Sequence, residues 1–325
     1  MTLSINPDIN DVLKAYCFLK TRVRHTPTEY SYPLSEKLGA PIYIKWENQQ
    51  MCGSFKVRGA FYKMNNLNEE ERARGVVTCS SGNHAQGVAI AAKELMINTK
   101  IYVPENCFET KKTSIKRIGG KWVELIVEGK DFDKAEEAAY AEADRSGRTH
   151  VSSFIDPDVI AGQGTTGFEI FIDQPEIECL IVPAGGGGLM NGVAIAAKAL
   201  SPSVEVWGVQ SEASNPWVVS WQDDIVKSVT CLDTIADGLA GNIPQSIFDL
   251  AKKRVSGIYE VNEEDIKRAI AYVHREHHQI VEGAGAVGIA ALLSGKVEVK
   301  GRKTGVVISG GNIDEEILIE ILEKY

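Results

Sequence analysis

Residues 179–200 read CLIVPAGGGGLMNGVAIAAKAL: an apolar run, four consecutive glycines from Gly185 to Gly188, then a run of helix formers. CLIVPA is short, branched and apolar, the pattern of a buried strand. LMNGVAIAAKAL reads as a helix. Glycine loses more backbone freedom on folding than any other residue, so four in a row mark a place that needs bare main chain. Strand, glycine turn and helix together aim free N–H groups at an anion, usually a phosphate. A plain turn needs one or two glycines. A P-loop needs Lys and then Ser or Thr, and here Leu189 and Met190 follow. The pattern G-x-G-x-x-G also misses, because the third glycine falls due at Asn191 and arrives at Gly192. Glu212 follows the next strand, which leaves a dinucleotide as a loose match. A small phosphorylated cofactor is the remaining common case.

Outward from this turn the same alternation fills the chain. Strand-like runs are PIYIKWE (41–47), GVVTCS (75–80), TKIYVP (99–104), KWVELIV (121–127), THVSSF (149–154), CLIVPA (179–184), VEVWGV (204–209), RVSGIYEV (254–261) and TGVVISG (304–310). Helical runs such as NHAQGVAIAAKEL (83–95) and EEDIKRAIAYVHREHH (263–278) lie between them. This predicts an α/β protein of open, mostly parallel sheets with helices on both faces. The block from 72 to 150 reads as a small lobe inserted in a larger one made of 1–71 and 151–325. Chemistry is then expected in the segments that follow the strands.

A net charge of −9 argues against nucleic acid or an anionic membrane as partner. No apolar run approaches a membrane span, and the start, MTLSINPDINDVLKAY, has no signal core, so a cytoplasmic protein is expected. Cys17, Cys52, Cys79, Cys107, Cys179 and Cys231 show no C-x-x-C spacing and read as reduced thiols. His274, His277 and His278 share a helical face without a supporting carboxylate or Cys pattern; an exposed polar face, not a metal site, is expected.

Three segments after strands carry candidate chemistry. In CGSFKVRGAFYKM (52–64), Ser54 can cap a helix that puts Lys56 and Arg58 in its first turn. Cations there oppose the helix dipole. Either both are solvated, or a desolvated lysine with lowered pKa serves as an amine nucleophile held as an imine. In TCSSGNHAQGVAI (78–90), Ser80, Ser81, Gly82, Asn83 and His84 offer hydroxyls, an amide and free N–H groups suited to a carboxylate. In GVVISGGN (305–312), Ser309 ends a buried strand where its hydroxyl can meet a ring nitrogen.

GSFKVRGA, SSGNHAQGVA, AGQGTTGFEI, PAGGGGL, IADGLAGN, EGAGAVGIAAL and SGGNID, in this order from about residue 10 to 320, resemble the serine/threonine dehydratases and serine racemases. Those are pyridoxal-phosphate enzymes with the fold of the tryptophan synthase β subunit. The resemblance implies that Lys56 carries pyridoxal 5′-phosphate, that Phe55 packs against its ring, and that Asn83 bonds its ring hydroxyl. Gly185, Gly186, Gly187, Gly188 and the Leu189 N–H would hold its phosphate, Ser309 would face the pyridine nitrogen, and Glu282 would lie beside the ring. Lys56 would move the α-proton, and Ser81 matches the opposite-face acid/base of the racemases. Ser80 to His84, Phe132 and Gly238 would bind substrate, with Gln163 and Gly164 lining the cleft. No metal is expected, since Gln210 and Pro216 stand where acids would be needed.

The implied activity is dehydration and deamination of a 3-hydroxy amino acid such as serine or threonine, a catabolic ammonia-lyase reaction giving a 2-oxo acid. The alternatives are a bulkier substrate (phenylserine, 3-hydroxyaspartate or a hydroxyectoine-derived amino acid), a serine or aspartate racemase, and a non-catalytic amino-acid sensor. A homodimer or homotetramer is implied by the resemblance alone.

Overall fold

Branched apolar runs that no water reaches on either face become the strands of two parallel sheets. The computed structural model describes residues 6–325. Ten strands are present among them: β1 (Thr28–Tyr30), β2 (Ile42–Trp46), β3 (Val76–Cys79), β4 (Thr99–Val103), β5 (Val123–Val127), β6 (Thr149–His150), β7 (Cys179–Pro183), β8 (Glu205–Ser211), β9 (Gly257–Val261) and β10 (Thr304–Ile308). One sheet has the order β1-β2-β10-β7-β8-β9 and the other β5-β4-β3-β6. All pairs are parallel except β1 with β2. Strand β1 is three residues long with one buried side chain, so it carries no apolar run for the sequence to show. It exists because the edge of β2 offers backbone groups to pair.

In the larger sheet β10 lies between β2 and β7 although it comes last in the chain. The carboxyl ends of β2, β10 and β7 are therefore neighbours, and their following segments carry Lys56, Ser309 and Gly185. In the smaller sheet β3 leads to Ser80, and β6 leads to Ser153 and Phe154. The candidate segments therefore lie beyond the strand ends in both sheets, where open α/β sheets place their ligands. No helix among the described residues is long and apolar enough to cross a membrane.

The helix Lys56–Asn65 does not start as its sequence suggests. Ser54 gives no capping bond; its Oγ is buried without a partner among the described residues, and Phe55 occupies the cap position. Tertiary pairing replaces the cap. Ser54 bridges Gly310, Phe55 N donates to Ser309 O at 3.1 Å, and Gly311 N donates to Gly53 O at 2.9 Å. The segment before Lys56 is thus laid against the chain that leaves β10.

Nor is Arg58 solvated. It is fully buried, and its guanidinium donates to Glu47 (Nε to Oε2, 2.8 Å; Nη2 to Oε1, 2.8 Å), to Glu169 (Nη1 to Oε1, 2.7 Å; Nη2 to Oε2, 2.8 Å), to Thr165 Oγ1 at 3.2 Å and to Arg24 O at 3.3 Å. Lys45 Nζ adds a bond to Glu169 Oε2 at 2.7 Å, so two cations face two anions. The helix Pro157–Asp173, which carries Glu169, meets the Lys56–Asn65 helix backbone to backbone: a Cβ on Gly162 would lie 2.6 Å from the Gly59 Cα. Gln163 and Gly164 are spent in this packing and do not line a cleft. Gln163 is fully buried with Oε1 on Gly59 N at 3.2 Å, and a Cβ on Gly164 would meet Val12 and Gly192.

The histidine triplet is not an exposed face either. His277 is half-buried with its ring centroid 5.4 Å from that of Trp46, while His278 closes its helix in the left-handed conformation. Among the described residues no group of His, Cys, Asp or Glu is arranged to hold a metal, and all six cysteines are free.

Arg58→Met leaves Glu47 buried without a cation and Glu169 with Lys45 alone, so unfolding by urea is expected to show a loss of about 3–5 kcal/mol. A loss below ~1 kcal/mol, the range of an exposed pair, would contradict the burial argument.

Candidate active site

An amine out of water and a set of unpaired amides converge where β2, β10 and β7 end. Lys56 begins its helix and is partly buried; its Nζ donates to Ser153 O at 3.2 Å. Loss of water around Nζ pulls it from the ordinary lysine value to about 8, opposed only in part by the charge of Glu282. Near neutral pH a useful fraction is then a neutral nucleophile. The Phe55 ring lies beside it, its centroid 5.3 Å from Nζ.

The glycine turn supplies the amides. The helix Gly188–Leu200 starts inside the run, with Gly187 at φ +92 as its cap. Among the described residues the N–H groups of Gly185, Gly186, Gly187, Gly188 and Leu189 have no acceptor. Neighbours press close on the other side. A Cβ on Gly186 would lie 2.5 Å from the Phe154 ring, and one on Gly187 would lie 2.6 Å from Trp217 and Ile247. Trp217 Nε1 pins Gly185 O at 2.5 Å. Gly238 reaches the same place, since a Cβ on Gly185 would meet its carbonyl oxygen at 3.2 Å. Five free amides at a helix start fit a phosphate, and an aldehyde fits Lys56. The residues present therefore match a cofactor that carries both groups.

Ser309 is buried where the chain leaves β10. Glu282 precedes the helix Gly283–Leu293 and is 7% exposed. Burial, with the Asp237 charge adding to it, pushes its carboxyl up to about 7; bonds from Asn83 and Asn312 and the charge of Lys56 work the other way. Asn83 Nδ2 donates to Glu282 Oε1 at 2.8 Å. Ser80, Ser81, Gly82 and Asn83 stand partly open between β3 and the helix Asn83–Leu95, with Ser80 Oγ accepting from Gly82 N at 3.2 Å.

Two expected substrate contacts do not join this group. His84 is turned inward, 3% exposed, with Nε2 at 3.0 Å from Val151 O. Burial, helped by the Lys56 charge, pushes it down to about 3, so it stays neutral and braces the loop. Phe132 stands 46% exposed at the start of the helix Phe132–Ser146, with no hydrogen bond or ring contact tying it to the others. Three residues were not legible: Ser153 acts through its carbonyl, Phe154 through shape, and Asn312 only because β10 ends beside Asn83.

A family model described as "Pyridoxal-phosphate dependent enzyme" matches residues 19–310. The chain is 45% identical over 317 residues to an L-threonine ammonia-lyase of Thermotoga maritima, covering 97% of this chain and 78% of that protein. It is 36% identical to the catabolic L-threonine dehydratase of Escherichia coli, covering 97% and 95%. Among solved structures, maize serine racemase superposes with a TM-score of 0.92 at 31% identity, covering 98% of this chain and 97% of that one.

With Lys56 as the reacting amine, the rate at which cofactor-free protein forms a borohydride-trappable adduct with pyridoxal phosphate rises with pH and is half-maximal near the lowered lysine value of about 8. A midpoint at the ordinary lysine value, roughly 10.4, would show that desolvation does not act on this amine.

Proposed function

Because the chain belongs to the pyridoxal-phosphate dependent enzymes, we propose that it is an ammonia-lyase of the threonine/serine dehydratase type, releasing ammonia and a 2-oxo acid from L-threonine or L-serine. The observation that carries this reading is the meeting of a desolvated Lys56 with five unpaired amides at Gly185–Leu189. The names of the relatives, L-threonine ammonia-lyase and L-threonine dehydratase, support the substrate class.

In this reading residues 1–71 and 151–325 form the lobe that carries the cofactor, and 72–150 the lobe that brings the carboxylate loop. The Gly185–Leu189 amides would hold the phosphate, Phe55 would lie against the ring, Asn83 would donate to its oxygen, and Ser309 would meet its nitrogen. When bound, pyridoxal phosphate supplies an aldehyde for the amine and a conjugated ring that spreads the electrons left on the substrate's α-carbon. Lys56 takes the α-proton, which a neutral amine with a pKa near 8 does well at cellular pH. Ser80 to Asn83 hold the substrate carboxylate with hydroxyls and amides, and Gly238 lies against Gly185 at the same end of the site. Glu282 keeps Asn83 in place and shares the site's charge with Lys56.

A second reading, racemisation of serine, is favoured by the hydroxyl of Ser81 beside Asn83 and by the likeness to a serine racemase. In it Ser81 serves as acid and base on the face opposite Lys56. A soluble cytoplasmic homodimer or tetramer accords with both readings.

Incubation with L-threonine, L-serine and bulkier 3-hydroxy amino acids is expected to release ammonia and 2-oxo acid in equal amounts, fastest from one of the first two. Lys56→Ala is expected to lose about 10³-fold or more, because one amine both attaches and transfers the proton. Inversion of serine without 2-oxo acid would move the assignment to the racemase, and borohydride labelling of a different lysine would remove it.

A further inference from the structure

Both polar atoms of the Asn83 amide have protein partners. Its Nδ2 donates to Glu282 Oε1 at 2.8 Å, and its Oδ1 accepts from Asn312 Nδ2 at 2.6 Å. The second hydrogen on Asn312 Nδ2 goes to Cys52 O at 2.8 Å, and the Asn312 main-chain N donates to Glu282 Oε2 at 3.2 Å. Asn312 therefore touches three parts of the site at once: the Asn83 amide, the Glu282 carboxylate and the loop that leads into Lys56.

That loop is shaped to receive it. Cys52 and Gly53 both have positive φ, at 56 and 71, and a Cβ on Gly53 would lie 2.8 Å from Asn312 Oδ1. Gly310 is equally close on the other side, since a Cβ there would meet Glu282 Oε1 at 2.4 Å. Side chains at either position would push the three polar groups apart.

An amide has two N–H donors and one oxygen acceptor. With the Asn83 oxygen turned to Asn312 and one N–H spent on Glu282, the donor that remains free is an N–H. Turning the amide over would set its oxygen against the Glu282 carboxylate and its NH₂ against the Asn312 NH₂, two repulsive contacts in place of two bonds. Glu282 alone fixes one end; Asn312 fixes the other.

We propose that Asn312 is a positioning residue that acts through Asn83, holding its amide so that it offers a donor, never an acceptor, to the group carried by Lys56. This rests on the cofactor reading given above. A donor at the ring oxygen of pyridoxal phosphate favours the form in which that oxygen is anionic. Loss of the orientation therefore raises the pH at which the bound cofactor's visible band titrates. Because Asn312 is exposed, its replacement opens no cavity in the core.

The test is a pH titration of the visible absorbance of cofactor-loaded Asn312→Leu, Asn83→Ala and the double variant. Asn312→Leu is expected to move the midpoint up by about one unit, a tenfold change in the proton equilibrium. Asn312→Ser, which keeps one donor, is expected to move it less. In the Asn83→Ala background Asn312→Leu should add nothing, since the group it acts through is gone. An unmoved midpoint in Asn312→Leu, or full additivity in the double variant, overturns the proposal. Borohydride trapping of the parent protein separates the two claims. Label on Lys56 with an unmoved Asn312→Leu midpoint sinks this inference alone, whereas no label on Lys56 sinks the cofactor reading beneath it.

Discussion

A guanidinium sealed from water two residues beyond Lys56 sets the terms for the whole site. Arginine does not shed its proton in a protein, so its charge has to be met where it lies. The carboxylates that meet it come from elsewhere in the chain: Glu47 from the turn after β2, and Glu169 from the third turn or later of the Pro157–Asp173 helix. Those elements and the Lys56–Asn65 helix are satisfied together in one arrangement, and a small shift of any of them would leave a bare buried ion. A helix that starts with two cations is disfavoured by its own dipole. Here the dipole's small cost is outweighed by ion pairs the helix could not supply itself.

Rigid support for Lys56 is what allows it to be dry. An amine pulled toward 8 by desolvation prefers to escape into water or to lose its proton. The pairing of residues 53–55 with Ser309–Gly311 removes the first option by fixing the chain on the N-terminal side, while Arg58 fixes it on the other. The same pairing ties Ser309 and Asn312 to the segment that leads into the lysine, so one piece of backbone geometry serves the nucleophile and the groups after β10. The glycine cradle follows a related logic. Phe154, Trp217 and Leu239 press on the far side of the turn, which forces the bare main chain and leaves its N–H groups with no partner of their own.

Nine of the ten strands and the helix after the glycine run were legible from local runs, β1 being the exception; Lys56, Asn83, Gly185–Gly188, Glu282 and Ser309 were singled out by the motifs of the family resemblance. What was misread shares one cause. Ser54 looks like a cap, but β10 arrives to occupy its backbone. Arg58 looks solvated, since neither Glu47 nor Glu169 is near enough in sequence to announce itself. His84 sits in a polar loop yet turns to Val151 O, 67 residues on. Phe132 falls where a pocket residue was expected and stays outside. Asn312 lies in the SGGNID motif but drew no role of its own, because an asparagine after two glycines reads as an ordinary turn.

By itself the sequence determined the strands other than β1, the long helices, that a bare-backbone turn follows β7, and which residue types are on hand for an amine, an anion and a carboxylate. Those properties are local, resting on side-chain branching, hydrophobic period and the absence of Cβ atoms. Only the tertiary structure decided that β10 inserts between β2 and β7, and with it which polar groups meet, which charges are buried, and where the lysine loses its water. Those outcomes depend on contacts between residues tens to hundreds of positions apart, and the free energy of burying an ion or pairing an amide is set by the partner that arrives, which no single stretch of chain contains.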